Sequence, residues 1–314
     1  LLVHYVHASA SLAIEAARAN GVPLWIDENE TLGSMELQHQ ASLRAWILAR
    51  IAQADTVISQ CSRQTAELRS LHPELRLVEI PLGCVMDSEI EDPPVLDAAI
   101  PAEEGLAYHG SRGERGEVEA EAGGVPIHLL CVTRLDQETK NVGPLLRGIA
   151  EARKNTDHDF RLIVAGDGFQ RGALRREAER LGLGDVVEWP GWVSPAALAR
   201  LRGRADAAVQ PSEHESFGLA ALEATGAGLP LVACGEAGVV PDLAALGAAV
   251  VPFRVASPAA IATALNELAG RFPDLRRQAI EARGRILSRY SWEAHASRYA
   301  RVLRESMEKE DGRH

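Results

Sequence analysis

No two of the four cysteines, Cys61, Cys84, Cys131 and Cys234, stand at Cys-x-x-Cys spacing, which leaves a zinc site or a redox pair little support. Cys131 and Cys234 lie in apolar runs and read as buried thiols, so a reducing, cytoplasmic setting is expected. No apolar run reaches the length of a membrane span, no signal-peptide pattern is visible in the given residues, and no repeat of solenoid length appears. Excess positive charge is lacking too. A net charge of -11 over 314 residues argues against a general nucleic-acid binder, and any anionic ligand must meet a local basic pocket. The first residues, Leu1-Leu2-Val3, carry no Met and already read as a strand, so a start inside a domain, with an upstream portion missing, is expected.

What the chain does have is alternation. Over 1–85, strand patterns at 1–6, 22–26, 56–59 and 75–80 are separated by helix patterns at 9–20, 35–54 and 62–71. This β-α-β order implies a parallel, doubly wound sheet. Residues 86–124 break the pattern. They are rich in Glu, Asp, Pro and Gly without periodicity, which reads as a linker with an acidic, mobile insertion whose charges serve solvation. From 125 to 288 the alternation resumes, with strands expected at 127–132, 160–165, 186–189, 205–209, 231–233 and 248–251 and helices between them, a second doubly wound domain. A terminal amphipathic helix over 292–307, in a closing segment 289–314, is placed to cross back to the first domain.

One stretch, Pro211 to Ala224, carries the strongest chemical signal. Glu215 and Glu223 lie there with seven residues between them. The first sits in a strand-to-helix turn and the second in the helix that the turn opens. N–H groups of Phe217, Gly218 and Leu219 would point out of that helix start, where the dipole is positive and a phosphate is held well. Two carboxylates beside an anion site suit a ligand with phosphates and many hydroxyls, such as a nucleotide-sugar. Taken alone, the same residues also fit a structural reading, since Glu suits a helix start and Gly a turn. The neighbouring segments weigh against that. In open parallel sheets, ligands bind outside the carboxyl ends of the strands. Arg134 and Lys140, the turn Gly166 to Gly168, Glu213 to Glu215, and Gly235 with Gly238 each follow a strand of the second domain, so all share one rim. Two cations there would offset a diphosphate. Asp157-His158-Asp159 mimics a metal-binding Asp-x-Asp but precedes its strand, so it reads as a surface turn on the opposite rim.

Five segments, Thr133 to Val142, Val164 to Gly168, Glu188 to Val193, Glu215 to Ala224 and Gly228 to Ala233, fall in the order and spacing of a known family. The chain resembles the retaining glycosyltransferases of family 4, most specifically over 127–243 and more loosely over 1–85. That resemblance implies the GT-B fold, two Rossmann-like domains facing a cleft, with the N-terminal one incomplete. It implies transfer of a sugar from a nucleoside diphosphate donor (UDP or GDP) to an acceptor, with retained anomeric configuration and with no metal or cofactor. Arg134 and Lys140 would hold the diphosphate and stabilise it as a leaving group. Glu215 would bind sugar hydroxyls with the backbone of Ser216, Phe217 and Gly218. The Leu219 N–H would touch phosphate, Gly166 would line the donor rim, Glu223 would bind the ribose hydroxyls, and Val193 would lie near the base. The acceptor (sugar, lipid or small molecule) would approach from the first domain, with peripheral membrane contact if it is a lipid.

Two departures stand out. The strand and glycine-rich turn that usually open the first domain are missing before Leu1. The His that many relatives carry after the second strand is replaced by Glu28, Asn29 and Glu30. His7 or His4, or Glu28 and Asn29 of that turn, would take up the acceptor side. Two other functions compete: a catalytically weak homologue that binds nucleotide-sugar or supports a partner enzyme, and a nucleotide-sugar epimerase. The latter needs acid and base groups at the sugar ring, and no placed pair demands it.

Overall fold

The computed structural model describes residues 2–4, 10–27, 41–84, 126–136, 138–155 and 158–311. His7, Glu28, Asn29, Asp157 and the segment 86–124 lie outside the described residues.

The first sheet has four parallel strands, β1 (Leu2–His4), β2 (Trp25–Asp27), β3 (Thr56–Ser59) and β4 (Leu77–Glu79), side by side in chain order. Helices α1 (Ala10–Ala19), α2 (Ala41–Ile51) and α3 (Ser62–Leu71) belong to the same half. Strand period separates the faces. Ile26 and Val57 pack with Ile14, Ile51 and Leu68 of the helices, while Trp25 and Ile58 point the other way. Burial on both faces is what a parallel sheet requires.

The second sheet has six parallel strands: β5 (Ile127–Val132), β6 (Phe160–Ala165), β7 (Val187–Gly191), β8 (Ala207–Gln210), β9 (Leu231–Cys234) and β10 (Val250–Phe253). Their order is β10-β9-β8-β5-β6-β7, and β5 pairs directly with β8 through Leu129–Ala207 and Leu130–Ala208. Strand order reverses between these two, so a crevice opens at their carboxyl ends. Seven helices accompany the sheet: α4 (Val142–Asn155), α5 (Arg171–Arg180), α6 (Pro195–Arg204), α7 (Leu219–Gly226), α8 (Val240–Ala245), α9 (Pro258–Gly270) and α10 (Phe272–Tyr290). Leu129 and Cys131 face a core shared with Leu145, Ile149, Ile261 and Leu265. Leu130 faces the other core, with Leu222, Leu229 and Ile286. Helices α6 and α9 start where the sequence signals it. Ser194 and Ser257 each accept a first-turn N–H at 3.2 Å, and Pro follows each cap.

Several boundaries differ from the pattern reading, for physical reasons. Strand β2 starts at Trp25 rather than Val22, because Asp55 anchors the lead-in instead of a ladder: its carboxylate accepts the Leu24 N–H at 2.8 Å. Helix α2 ends at Ile51 rather than Ala54, since Gln53 and Ala54 donate three residues back and tighten the chain into a turn. Strand β10 runs through Pro252. It lies at the sheet edge, where a residue without an N–H is tolerated. Helix α8 is six residues long and follows a glycine turn, too short to show a period.

The two sheets are joined through the last helix, α11 (Trp292–Asp311). Val302 and Tyr299 pack on Trp25, Ile58 and Ile80. Tyr299 Oη donates to Asp27 Oδ2 at 2.6 Å, and His295 Nδ1 donates to the Pro81 carbonyl at 2.7 Å.

Candidate functional site

The carboxyl ends of β5, β6, β7, β8 and β9 carry the candidate residues to one rim, and backbone bonds tie the loop tips together. Thr133 N donates to Ala165 O at 3.0 Å, Leu135 N to Asp167 O at 2.9 Å and Gly166 N to Gly191 O at 2.8 Å. Gly166 has φ +144°, and a Cβ there would stand 1.8 Å from the Thr133 carbonyl oxygen, so only glycine lets the β5 and β6 loops meet. Gly238, after β9, has φ +49°, and a Cβ would stand 2.2 Å from the Phe217 carbonyl oxygen. Beside it, Val239 N donates to that same oxygen at 2.6 Å.

At the crevice between β5 and β8, Lys140 and Glu215 form an ion pair. The Nζ–Oε1 distance is 2.8 Å, and the side chains are 15% and 17% exposed. Lys140 ends a 3-10 turn, Glu138–Lys140. Asn141 follows with φ +53°, a conformation its short polar side chain tolerates, and its Nδ2 donates to Pro211 O at 3.2 Å. That bond fastens the Lys140 turn to the Glu215 loop. Below the pair lies Cys131, fully buried. Burial pushes its thiol up to about 12, with Lys140 pulling down and Glu215 pushing up.

The Glu215 loop runs into α7 through Gly218, which caps the helix in the left-handed conformation. Phe217 turns its ring inward, 4% exposed, to meet Tyr290 edge-on at 6.2 Å. The Ser216 carbonyl accepts from Cys61 Sγ at 3.7 Å and the Phe217 carbonyl from Val239. The first N–H groups of a helix have no partner within it, so the start of α7 is chemically suited to an anion. Leu219 is exposed at this start. On the next turn, Glu223 Oε2 accepts from Arg202 Nη1 at 2.9 Å.

Not every candidate is gathered so closely. Arg134 is 66% exposed, with Nε 3.7 Å from Asp136 Oδ1. Val193 is partly buried against the core on the α7 side. Asp159, on the opposite rim, is taken up by Arg153 at 2.9 Å and Arg161 at 3.5 Å. No cluster of His, Cys, Asp or Glu suited to a metal occurs among the described residues.

The stretch of chain that builds this rim is similar to known proteins. Residues 119–306 fit the family model described as glycosyl transferases group 1. The chain belongs to this family. Over 180 residues it is 34% identical to a glycogen synthase of Mycobacterium tuberculosis, covering 56% of this chain and 42% of that protein. Over 227 residues it is 29% identical to a D-inositol 3-phosphate glycosyltransferase of Corynebacterium kroppenstedtii, covering 69% and 50%. The chain thus spans about half the length of these relatives. Among solved structures, a sucrose-phosphate synthase from Thermosynechococcus elongatus superposes with a TM-score of 0.74 at 22% identity, over 98% of this chain and 74% of that one. Anabaena HepE in complex with UDP and glucose does so with a TM-score of 0.70 at 18% identity, over 96% and 77%. The fold of this chain is therefore GT-B.

Three residues at or behind the site escaped the pattern reading. Arg202 and Gln210 are buried, the first at the end of a segment read as an ordinary helix and the second just past the strand expected at 205–209. Cys61 reaches the Ser216 loop across 155 positions of sequence. For Arg202 a faint signal exists, a charged residue four positions after Leu198 on the inward side of α6.

Proposed function

We propose that this chain transfers a sugar from a nucleoside diphosphate donor to an acceptor with retention of configuration. The bond from the anomeric carbon to the diphosphate breaks, a bond to the acceptor oxygen forms on the same face, and the acceptor's hydroxyl proton passes to the departing diphosphate. The observation that carries the reading is the Lys140–Glu215 pair at the β5/β8 crevice, beside the start of α7. An arriving diphosphate competes with Glu215 for the Lys140 ammonium. Lys140, Arg134 and the α7 N–H groups then meet the charge that builds on the leaving group, while Glu215 turns to sugar hydroxyls. In this scheme the chain's own cations supply the positive charge that a metal would otherwise bring. Glu223 takes the ribose and the Val193 backbone the base. UDP and GDP donors both have support among relatives: HepE holds UDP and glucose, and a Mycobacterium tuberculosis relative is a GDP-mannose-dependent mannosyltransferase. Four buried cysteines, none in a disulfide, suit a cytoplasmic setting. No helix among the described residues is long and apolar enough to cross a membrane.

The test is incubation with UDP-, GDP- and ADP-sugars, with and without sugar acceptors, reading nucleoside diphosphate release. Release is expected for one donor. Lys140→Ala and Glu215→Ala should each lower turnover by about 100-fold or more, the scale of losing one transition-state contact. Unchanged rates in folded variants would overturn the assignment. Binding without turnover would point to a non-catalytic homologue, and an altered donor sugar to an epimerase.

A further inference from the structure

We propose that Arg202 is a positioning residue that sets Glu223 for the donor's ribose, so that the ribose hydroxyls are read through an ion pair anchored in the protein interior. The proposal rests on the reading of Glu223 as the ribose ligand. Arg202 stands on the last turn of α6 and is 3% exposed, while Glu223, on α7, is 27% exposed at the rim. Its neighbours on α6 turn outward: Arg204 pairs with Glu188 at 2.9 Å, and Arg200 is exposed. Among the described residues, Arg202 is the buried cation and Asp27 the buried anion. Arg202 lines a small cavity together with the apolar Leu130, Val132, Ala208 and Ala221 and with the polar Gln210.

Taking a guanidinium out of water costs several kcal/mol before any pairing returns it, and a well-packed apolar residue avoids that cost. Stability is thus a poor reason for an arginine here. Geometry is a better one. A planar guanidinium fixed in the interior holds a carboxylate in one place, as a flexible ammonium does not. The Glu223 carboxylate can then accept hydrogen bonds from vicinal hydroxyls. Charge gives a second reason. A lone carboxylate beside a diphosphate would repel it, and Arg202 offsets that repulsion from behind.

The test compares binding of UDP and GDP with that of their 2′-deoxy forms by calorimetry, in wild type, Arg202→Met, Glu223→Gln and the double variant. Wild type should favour the ribonucleotide by about 10-fold or more, as for one hydrogen bond to a charged group. Arg202→Met should lose that preference to the level of Glu223→Gln, and the double variant should lose nothing further. Should the methionine variant not fold, Arg202→Lys carries the same test, because it removes the fork; its preference should fall at least halfway on a logarithmic scale. An Arg202 variant that keeps the wild-type preference, where Glu223→Gln has lost it, overturns the role of Arg202 alone. A wild type indifferent to the 2′-hydroxyl removes the ribose reading, and this proposal with it.

Discussion

Lys140 and Glu215 are 75 positions apart in sequence, yet each stands where the end of its own strand puts it. Their types and places were legible because a strand end, a helix start and a charge define the position of one residue at a time. Residues that act by being buried were not legible. Arg202 looks like any arginine in an Arg-rich helix end, and only packing shows that it points inward while its neighbours do not. Gln210 is similar. It closes β8, is 6% exposed, and neither of its amide atoms has a hydrogen-bond partner among the described residues. A buried polar group without a partner costs about 1–3 kcal/mol. Gln210→Leu, close in size, should therefore raise stability by about 1 kcal/mol, read by denaturant unfolding. A loss of stability instead would mean that the amide is satisfied by bound water.

At the scale of elements, the β-α alternation was readable because buried parallel strands are short apolar runs and the helices between them carry a period of 3.6. Helix α8 and the ends of β2 and β10 were not, since Asp55, an edge position and a six-residue helix leave no periodic mark. The return of α11 to the first sheet was suggested by its amphipathic pattern; the bonds that hold it depend on tertiary placement. Tyr299 Oη meets Asp27 across 272 positions. Burial raises the Tyr299 hydroxyl's pKa, and the hydrogen bond to Asp27 raises it further, so the phenol stays protonated as the donor. Tyr299→Phe removes a hydrogen bond to a charged group and should cost about 1–3 kcal/mol, measured as a lower denaturant midpoint. A midpoint equal to wild type would show that this bond contributes nothing net.

At the scale of the whole molecule, the two sheets meet through a few polar contacts near the site. Asp242 Oδ2 accepts the Ser62 N–H at 3.0 Å at the start of α3, and Cys84 N donates to Tyr290 O at 3.0 Å. Glu79 pairs with Arg289 at 3.1 Å. Burial, then the nearby Asp242, pushes the Glu79 carboxyl above its ordinary 4.5, although Arg289 and Thr65 pull it down. A carboxyl raised in the folded state binds its proton more tightly there. Its contribution to stability is present below the unfolded value and is lost as pH rises through the folded one. Glu79→Gln should therefore gain stability relative to wild type between pH 4 and pH 7, and a pH-independent difference would contradict that shift. The central claim concerns the second sheet. A crystal structure with UDP or GDP bound tests it most directly. The account predicts the diphosphate at the β5/β8 crevice, within hydrogen-bond reach of Lys140 and the Leu219 N–H. A nucleotide bound elsewhere, with the Lys140–Glu215 pair undisturbed, would contradict it.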